Sequence, residues 1–268
     1  MQPMSPARGG TDVTPSGAAP AVVRAVGVLD ALADAPDGVM TLSDLSRALG
    51  VPKSSTSSIC SALELGGLIA REGAGYTLGR RLVELGGSYL ASVDQVREFY
   101  DLCAASEVLK SETVRLSVLA GIDTLVLARY EGRPAIRFTA SIGDRLPAST
   151  TAQGKVLLSR FEDHEVKRLY HGIGELPQLA KNSLRTVDDL LADLEIIRAQ
   201  DYGFDNEEIS ERVCGLAVNV PTRGVRAPHL AVSVTKLRSD LSDDEARVLV
   251  AALREVARSL GNPLNLSL

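Results

Sequence analysis

Catalysis and metal binding need particular side chains at particular spacings, and this 268-residue chain offers few of them. Its three histidines, His164, His171 and His229, form no H-x-x-x-H or H-E-x-x-H pair, so no metal or other cofactor is expected. Cys60, Cys103 and Cys214 are isolated and never in a C-x-x-C spacing, which argues against a zinc site or a disulfide framework. No G-x-S-x-G elbow exists to present a serine nucleophile. The stretch from Ser149 to Val156 is only faintly like a phosphate loop. Ser149 stands where the first glycine belongs, and Val156 follows Lys155 in place of a magnesium-binding hydroxyl. One feature remains. Thr150 or Thr151 can cap a helix running to about residue 161, leaving the amides near Thr151, Ala152 and Gln153 aimed at whatever precedes it. Such an end favours an anion, and a carboxylate would suit it, although an ordinary capped helix has the same sequence.

The elements that position these residues follow from pattern. The chain carries 29 Lys+Arg against 34 Asp+Glu, a formal charge of −5, with 45% hydrophobic residues, enough for real cores. No apolar run approaches the roughly 18–20 residues of a membrane span. Residues 1–20 are rich in Pro, Gly, Ser and Thr, with only Arg8 and Asp12 charged, and lack the basic start and apolar stretch of a signal peptide. They read as a disordered tail. A cytoplasmic protein is expected.

From residue 21 the periodicity is helical. Val22, Val23, Val26, Leu29 and Leu32 make one stripe, ending near Ala35-Pro36. Thr41 and Asp44 form a capping-box variant before a short helix that ends at Gly50. Pro52 opens a third helix to about Leu65, and residues 68–72 and 76–78 read as a small hairpin. Helix, helix–turn–helix and hairpin in this order predict a winged helix-turn-helix over residues 21–79, with a ligand-free α+β domain as the alternative. In the third helix Ile59, Ala62, Leu63 and Gly66 are read as inward. Lys53, Ser54, Ser55, Ser57, Ser58 and Ser61 are read as outward. Serines are poor helix formers, because each hydroxyl competes for backbone hydrogen bonds. At the front of a helix they can approach phosphates and base edges closely, although a merely solvated face tolerates them too. Residues 21–92 hold six basic residues (Arg24, Arg47, Lys53, Arg71, Arg80 and Arg81) against seven acidic ones, a net of −1. That is a weak electrostatic footprint for double-stranded DNA, rescued by placing Lys53, Arg71 and Arg80 around the third helix.

The run Thr41-Leu-Ser-Asp-Leu-Ser-Arg-Ala-Leu-Gly-Val-Pro-Lys-Ser54, preceded by residues 21–30 and followed by Gly67-Leu-Ile-Ala-Arg-Glu72 and Tyr76-Thr-Leu-Gly-Arg-Arg-Leu82, resembles the IclR family of bacterial transcriptional regulators. The resemblance covers about residues 21–260. It implies that Arg24, Thr41, Lys53, the serines of the third helix, Arg71 and Arg80 face operator DNA. It also implies that a linker helix at residues 80–93 helps to pair two DNA-binding domains into a homodimer or tetramer. Ser57 and Ser58 stand where that family commonly carries bulky or basic residues.

Beyond residue 94 come a helix at about 95–111 and strand-like runs at 113–120, 124–130 and 135–140. Helices then dominate to residue 200. Strands at 213–220 and 229–237 and a helix capped by Ser242 and Glu245 close the chain. An antiparallel sheet with helices packed on it is α+β. The resemblance implies a GAF/PAS-like effector-binding domain over residues 94–268. Its pocket is implied to use the helix start at Thr151, Ala152 and Gln153, then Asp205 in Tyr202-Gly-Phe-Asp-Asn-Glu-Glu208, and Ser233 with Thr235 on the last strand. A cysteine of that family's pocket is replaced here by Gly215. Cys214, one position earlier, falls on the opposite face as a packed residue. A missing side chain at Gly215 suggests a bulkier acid. These readings converge on a DNA-binding regulator, a repressor in the commoner mode and an activator otherwise, controlled by a small organic acid and not itself an enzyme. Two alternatives stand beside it: a regulator with a degenerate pocket, and a small-molecule enzyme using Asp205 with Ser233 or Thr235.

Overall fold

The computed structural model describes residues 19–132, 140–223 and 227–261. The predicted tail lies outside them apart from its last two residues, as does the predicted strand at 135–140 apart from Ala140. The chain divides into two compact units, Met1–Ser92 and Val93–Leu268.

In the first unit α1 (Pro20–Asp34) places Pro20 in its first turn, where a missing N–H costs nothing. Then come β1 (Met40–Thr41), α2 (Leu42–Leu49), α3 (Lys53–Leu65), β2 (Ile69–Glu72), β3 (Gly75–Leu78) and α4 (Arg81–Ala91). Thr41 caps α2 as predicted, its hydroxyl accepting from the Asp44 amide at 3.2 Å. Gly50 ends that helix with φ at 62°, a left-handed conformation that glycine adopts without a Cβ clash. The Val51 amide then donates to the Ser46 carbonyl at 3.1 Å, closing the turn into α3. The wing is three-stranded, in the order β1-β3-β2. Strand β1, only two residues long, has too little sequence to show a period. The core holds Val28, Leu32, Leu45, Cys60, Leu63, Ile69 and Tyr76. One part of the predicted α3 face is corrected. Thr56, Cys60 and Leu63 are its buried residues, Ile59 is partly buried, and Ala62 and Gly66 are exposed. Thr56 is tolerated inside because its hydroxyl donates back to the Pro52 carbonyl at 3.1 Å.

The second unit opens with α5 (Asp94–Ala105), shorter than expected and followed by a 3-10 turn at Leu109–Ser111. Its sheet has six antiparallel strands in the order β6-β5-β4-β9-β8-β7. These are β4 (Thr113–Ala120), β5 (Asp123–Glu131), β6 (Arg145–Pro147), β7 (Gly203–Asn206), β8 (Val213–Asn219) and β9 (Leu230–Leu237). Both edge strands were missed, being three and four residues long and without apolar alternation. The helices are α6 (Ala152–Leu158), α7 (Asp163–Leu169), α8 (Val187–Gln200) and α9 (Asp243–Gly261). The α6 helix stops at Leu158, short of the predicted end near 161. At α9, Ser242 accepts from the Glu245 amide at 3.2 Å. The Glu245 carboxylate instead lies 3.0 Å from Lys236, so only half of the expected capping box forms. A main core of Ala148, Ala152, Val156, Leu157, Val166, Leu190, Leu194 and Ala217 joins α6 and α8 to the sheet. No helix of the described residues is long and apolar enough to cross a membrane.

Candidate functional site

In the first unit, α3 begins at Lys53, one residue later than expected, because Pro52 is the extended N-cap; there is no side-chain cap and no acidic residue in the first turn. Its leading amides and partial positive charge therefore remain available to an anion from outside. Lys53, Ser54, Ser58 and Ser61 are exposed, whereas Ser55 and Ser57 are half-buried. The Ser58 hydroxyl donates to the Ser54 carbonyl at 3.2 Å. Arg24 is exposed on α1 and Arg80 is exposed just before α4. Arg71 is held on the wing. Its guanidinium lies 4.4 Å from the centre of the Tyr76 ring and 3.5 Å from Glu64. The Thr41 hydroxyl is engaged in the α2 cap, donating to Asp44 at 2.6 Å. Along α4, Val83, Leu85 and Tyr89 are exposed, and no residue of that helix is buried.

In the second unit, one face of the sheet is polar and covered. Asp205, Gly215, Thr235 and Thr113 stand in one cross-strand row, with Ala217, Ser233 and Arg115 in the next. Residues two apart share a face, so both rows point the same way. Helix α6 lies over them. A Cβ on Gly203 would stand 2.7 Å from the Ala152 carbonyl oxygen and 2.8 Å from Val156, so only glycine permits this approach. The Asn219 amide group fixes the helix further, donating to the Val156 carbonyl at 2.8 Å. Thr151 is the residue that caps α6, accepting from the Gly154 amide at 3.0 Å, while Thr150 turns to the Pro147 carbonyl. Thr151, Ala152, Gln153, Asp205, Gly215, Ser233 and Thr235 are all buried.

Burial on this scale should satisfy polar atoms, yet several lack a partner among the described residues. These include Gln153 Nε2, Ser233 Oγ, Ser117 Oγ and Arg115 Nε. Burial pushes the Asp205 carboxyl up to about 7, against the pull of the Glu208 amide, which donates to Oδ1 at 2.8 Å. Burial also pulls Arg115 down to about 10, helped by the like charge of Arg129. Arg115 and Ser117 join this face from β4. Their signal is alternation: Thr113, Arg115 and Ser117 interleave with Val114, Leu116 and Val118, a pattern that reads as a solvent face but here lies beneath α6. Lys155, named above only for its place in a failed phosphate-loop pattern, has a structural role. It is 1% exposed, with Nζ 2.7 Å from Glu208 and 2.9 Å from Asp193, tying α6 to the β7–β8 turn and to α8.

Cys214 faces away from Asp205, buried, with Sγ 3.6 Å from the Lys236 carbonyl oxygen and its thiol pushed up by burial to about 11. At Gly215, an added Cβ would meet Ala152 at 3.5 Å and Asp205 at 3.6 Å, both ordinary contacts. A methyl group would therefore fit at this position without displacing either neighbour. Among the described residues no group of His, Cys, Asp and Glu is placed to hold a metal ion. The Ser233 hydroxyl has no hydrogen-bond partner among the described residues that could act as a base to activate it.

Two family models match the sequence: the IclR helix-turn-helix domain over residues 21–73, and the bacterial transcriptional regulator IclR C-terminal domain over residues 100–262. The HTH-type transcriptional regulator KdgR of Escherichia coli (strain K12) is 30% identical over 242 residues, 89% of this chain and 90% of that one. The crystal structure of the Agobacterium tumefaciens repressor BlcR is 28% identical, with a TM-score of 0.60 over 93% of this chain and 98% of that one. An IclR homolog from Microbacterium hydrocarbonoxydans, complexed with 4-hydroxybenzoate, superposes with a TM-score of 0.75. It covers 92% of this chain and 100% of that one at 23% identity, a likeness of fold.

Proposed function

The chain belongs to the IclR family of DNA-binding transcriptional regulators, not of enzymes, and on that footing we propose that it is a repressor released or recruited by a small organic acid. The observation that carries the ligand half is the buried polar boundary between α6 and the sheet, where Gln153 Nε2 of α6 and Ser233 Oγ of β9 have no hydrogen-bond partner among the described residues. A buried donor left unpaired costs about 1–3 kcal/mol, and an acceptor-rich anion is the ligand class that relieves it. The similarly folded Microbacterium protein was solved with 4-hydroxybenzoate, also a carboxylic acid. Thr151, Ala152, Asp205, Gly215 and Thr235 complete the proposed lining.

The DNA half rests on α3. Lys53 would contact a phosphate, with Ser54, Ser58 and Ser61 reaching base edges and Ser55 and Ser57 flanking them. Arg24, Thr41, Arg71 and Arg80 would position the unit on the backbone. The exposed Val83, Leu85 and Tyr89 of α4 favour a homodimer, or a tetramer built from it, presenting two such helices to successive major grooves. The acid would act by linkage, binding the DNA-competent and DNA-incompetent arrangements with different affinity. A thermal-shift screen of organic acids, followed by gel shift on neighbouring intergenic DNA, tests both halves. An acid that raises the melting temperature and changes fragment retention is expected. Retention of no specific fragment, with or without any acid, would overturn the reading.

A further inference from the structure

Arg115 sits at the centre of the sheet, on β4 between β5 and β9, with 5% of its surface exposed. Its one hydrogen bond among the described residues runs from Nη1 to the Thr235 hydroxyl at 2.8 Å, and Nε has no partner. No carboxylate of the described residues pairs with it directly. Asp205 and Asp144 act on it only through the field, and Arg129, directly across the β4–β5 pair, repels it. Lys155 shows what a buried cation in this fold looks like when its role is structural: two carboxylates within 3 Å. A guanidinium has five donors in a planar fork that matches a carboxylate. Leaving it buried, charged and mostly unanswered is destabilising, and that cost is recovered when an anion arrives.

We propose that Arg115 is the carboxylate anchor and specificity-determining residue of the site under α6, pairing with the acid group of the effector while Thr235 holds the guanidinium in position. The assignment rests on the organic-acid reading above and sharpens it. The site then selects acids over their neutral amides, and the selecting charge comes from the sheet and not from the α6 helix start. Ser233, opposite Arg115 in the β4–β9 pair, and Gln153 from α6 are left to recognise the rest of the molecule.

The test uses the full chain and three acid–amide pairs as probes: acetate and acetamide, lactate and lactamide, benzoate and benzamide. Wild type should be stabilised by at least one acid and not by its amide. Arg115→Met, similar in length and uncharged, should lose that acid response by at least about tenfold in Kd. Its ligand-free melting temperature should rise, because a poorly paired buried charge has been removed. Arg115→Lys, which keeps the charge without the fork, should retain a weakened response to the same acid. An Arg115→Met protein that melts lower than wild type, or keeps the acid response, overturns the assignment of Arg115. A wild type stabilised by none of the acids overturns the organic-acid reading itself, a separate result.

Discussion

The backbone amide of Glu208 donates to Oδ1 of Asp205 at 2.8 Å, so the turn after β7 orients a carboxyl that is otherwise sealed beneath α6. The same Glu208 extends its side chain to Lys155 at 2.7 Å. One turn therefore links the candidate ligand face to the ion cluster that holds α6 down.

The Asp205 carboxyl gives the second unit a pH signature. Unfolded it titrates near 3.8; folded, burial raises it to about 7. Between those values the folded chain keeps a proton that the unfolded chain has released, so this residue's contribution is full below pH 4 and falls as pH rises through 7. Asp205→Asn keeps the oxygen that accepts from Glu208 and removes the titration. Urea unfolding should show the variant close to wild type at pH 4.5 and more stable at pH 8, by roughly 2–4 kcal/mol. A constant difference across that range would remove Asp205 as the source.

The Lys155 cluster should behave as a buried ion group. Burial opposes the charge on Lys155, but Glu208 and Asp193 together outweigh it and hold its pKa up. For Glu208 the balance reverses, since burial outweighs its single shared ammonium and its carboxyl also moves up. Lys155→Met leaves Glu208 buried without a counter-charge and should cost about 3–5 kcal/mol in urea unfolding. Adding Glu208→Gln should restore a large part of that loss. Simple additivity of the two changes would show that they do not act through one another.

The difference in how these residues could be read from sequence has a physical cause. Elements with a long period were legible: β4 runs Thr113–Ala120, the bounds that its pattern implies, and α3 runs Lys53–Leu65, one residue short of the expected start at Pro52. The edge strands β6 and β7 were not, because at three and four residues they are defined by their neighbours. Asp205, Gly215, Ser233 and Thr235 were reached by resemblance, and the sheet register brings their rows together. Arg115 was hidden by its own regularity. Polar alternation in a strand normally marks water, and only the tertiary placement of α6, made possible at Gly203, turns that side into an interior.

On α3, Lys53 and Ser54 are adjacent and exposed, but their contributions to DNA binding should separate cleanly. Lys53→Ala should weaken binding to all sequences alike and lower the slope of log K against log salt by about 0.9, one phosphate contact. Ser54→Ala should leave that slope unchanged and relax preference at one base position by about 1 kcal/mol. Fluorescence anisotropy on an operator and its point variants, at several salt concentrations, separates the two. Equal effects on both measures would mean that the helix does not enter the groove by this face.

Glu64 restrains a cation that the wing could otherwise offer to DNA. Its carboxylate lies 3.5 Å from Arg71, whose guanidinium also stacks on Tyr76. Arg71 is exposed and Glu64 half-buried, so the pair is largely solvent-screened and breaking it should change folding stability by about 1 kcal/mol or less. The stacking on Tyr76 remains and keeps the wing in shape. Glu64→Gln therefore releases Arg71 and removes a negative charge from a unit whose net charge is otherwise unfavourable for a polyanion. Affinity should rise for every DNA sequence, with a steeper salt dependence, by up to about 0.9 in slope. If affinity and slope both stay at the wild-type values, Arg71 stands away from the phosphates and its role is confined to packing the wing.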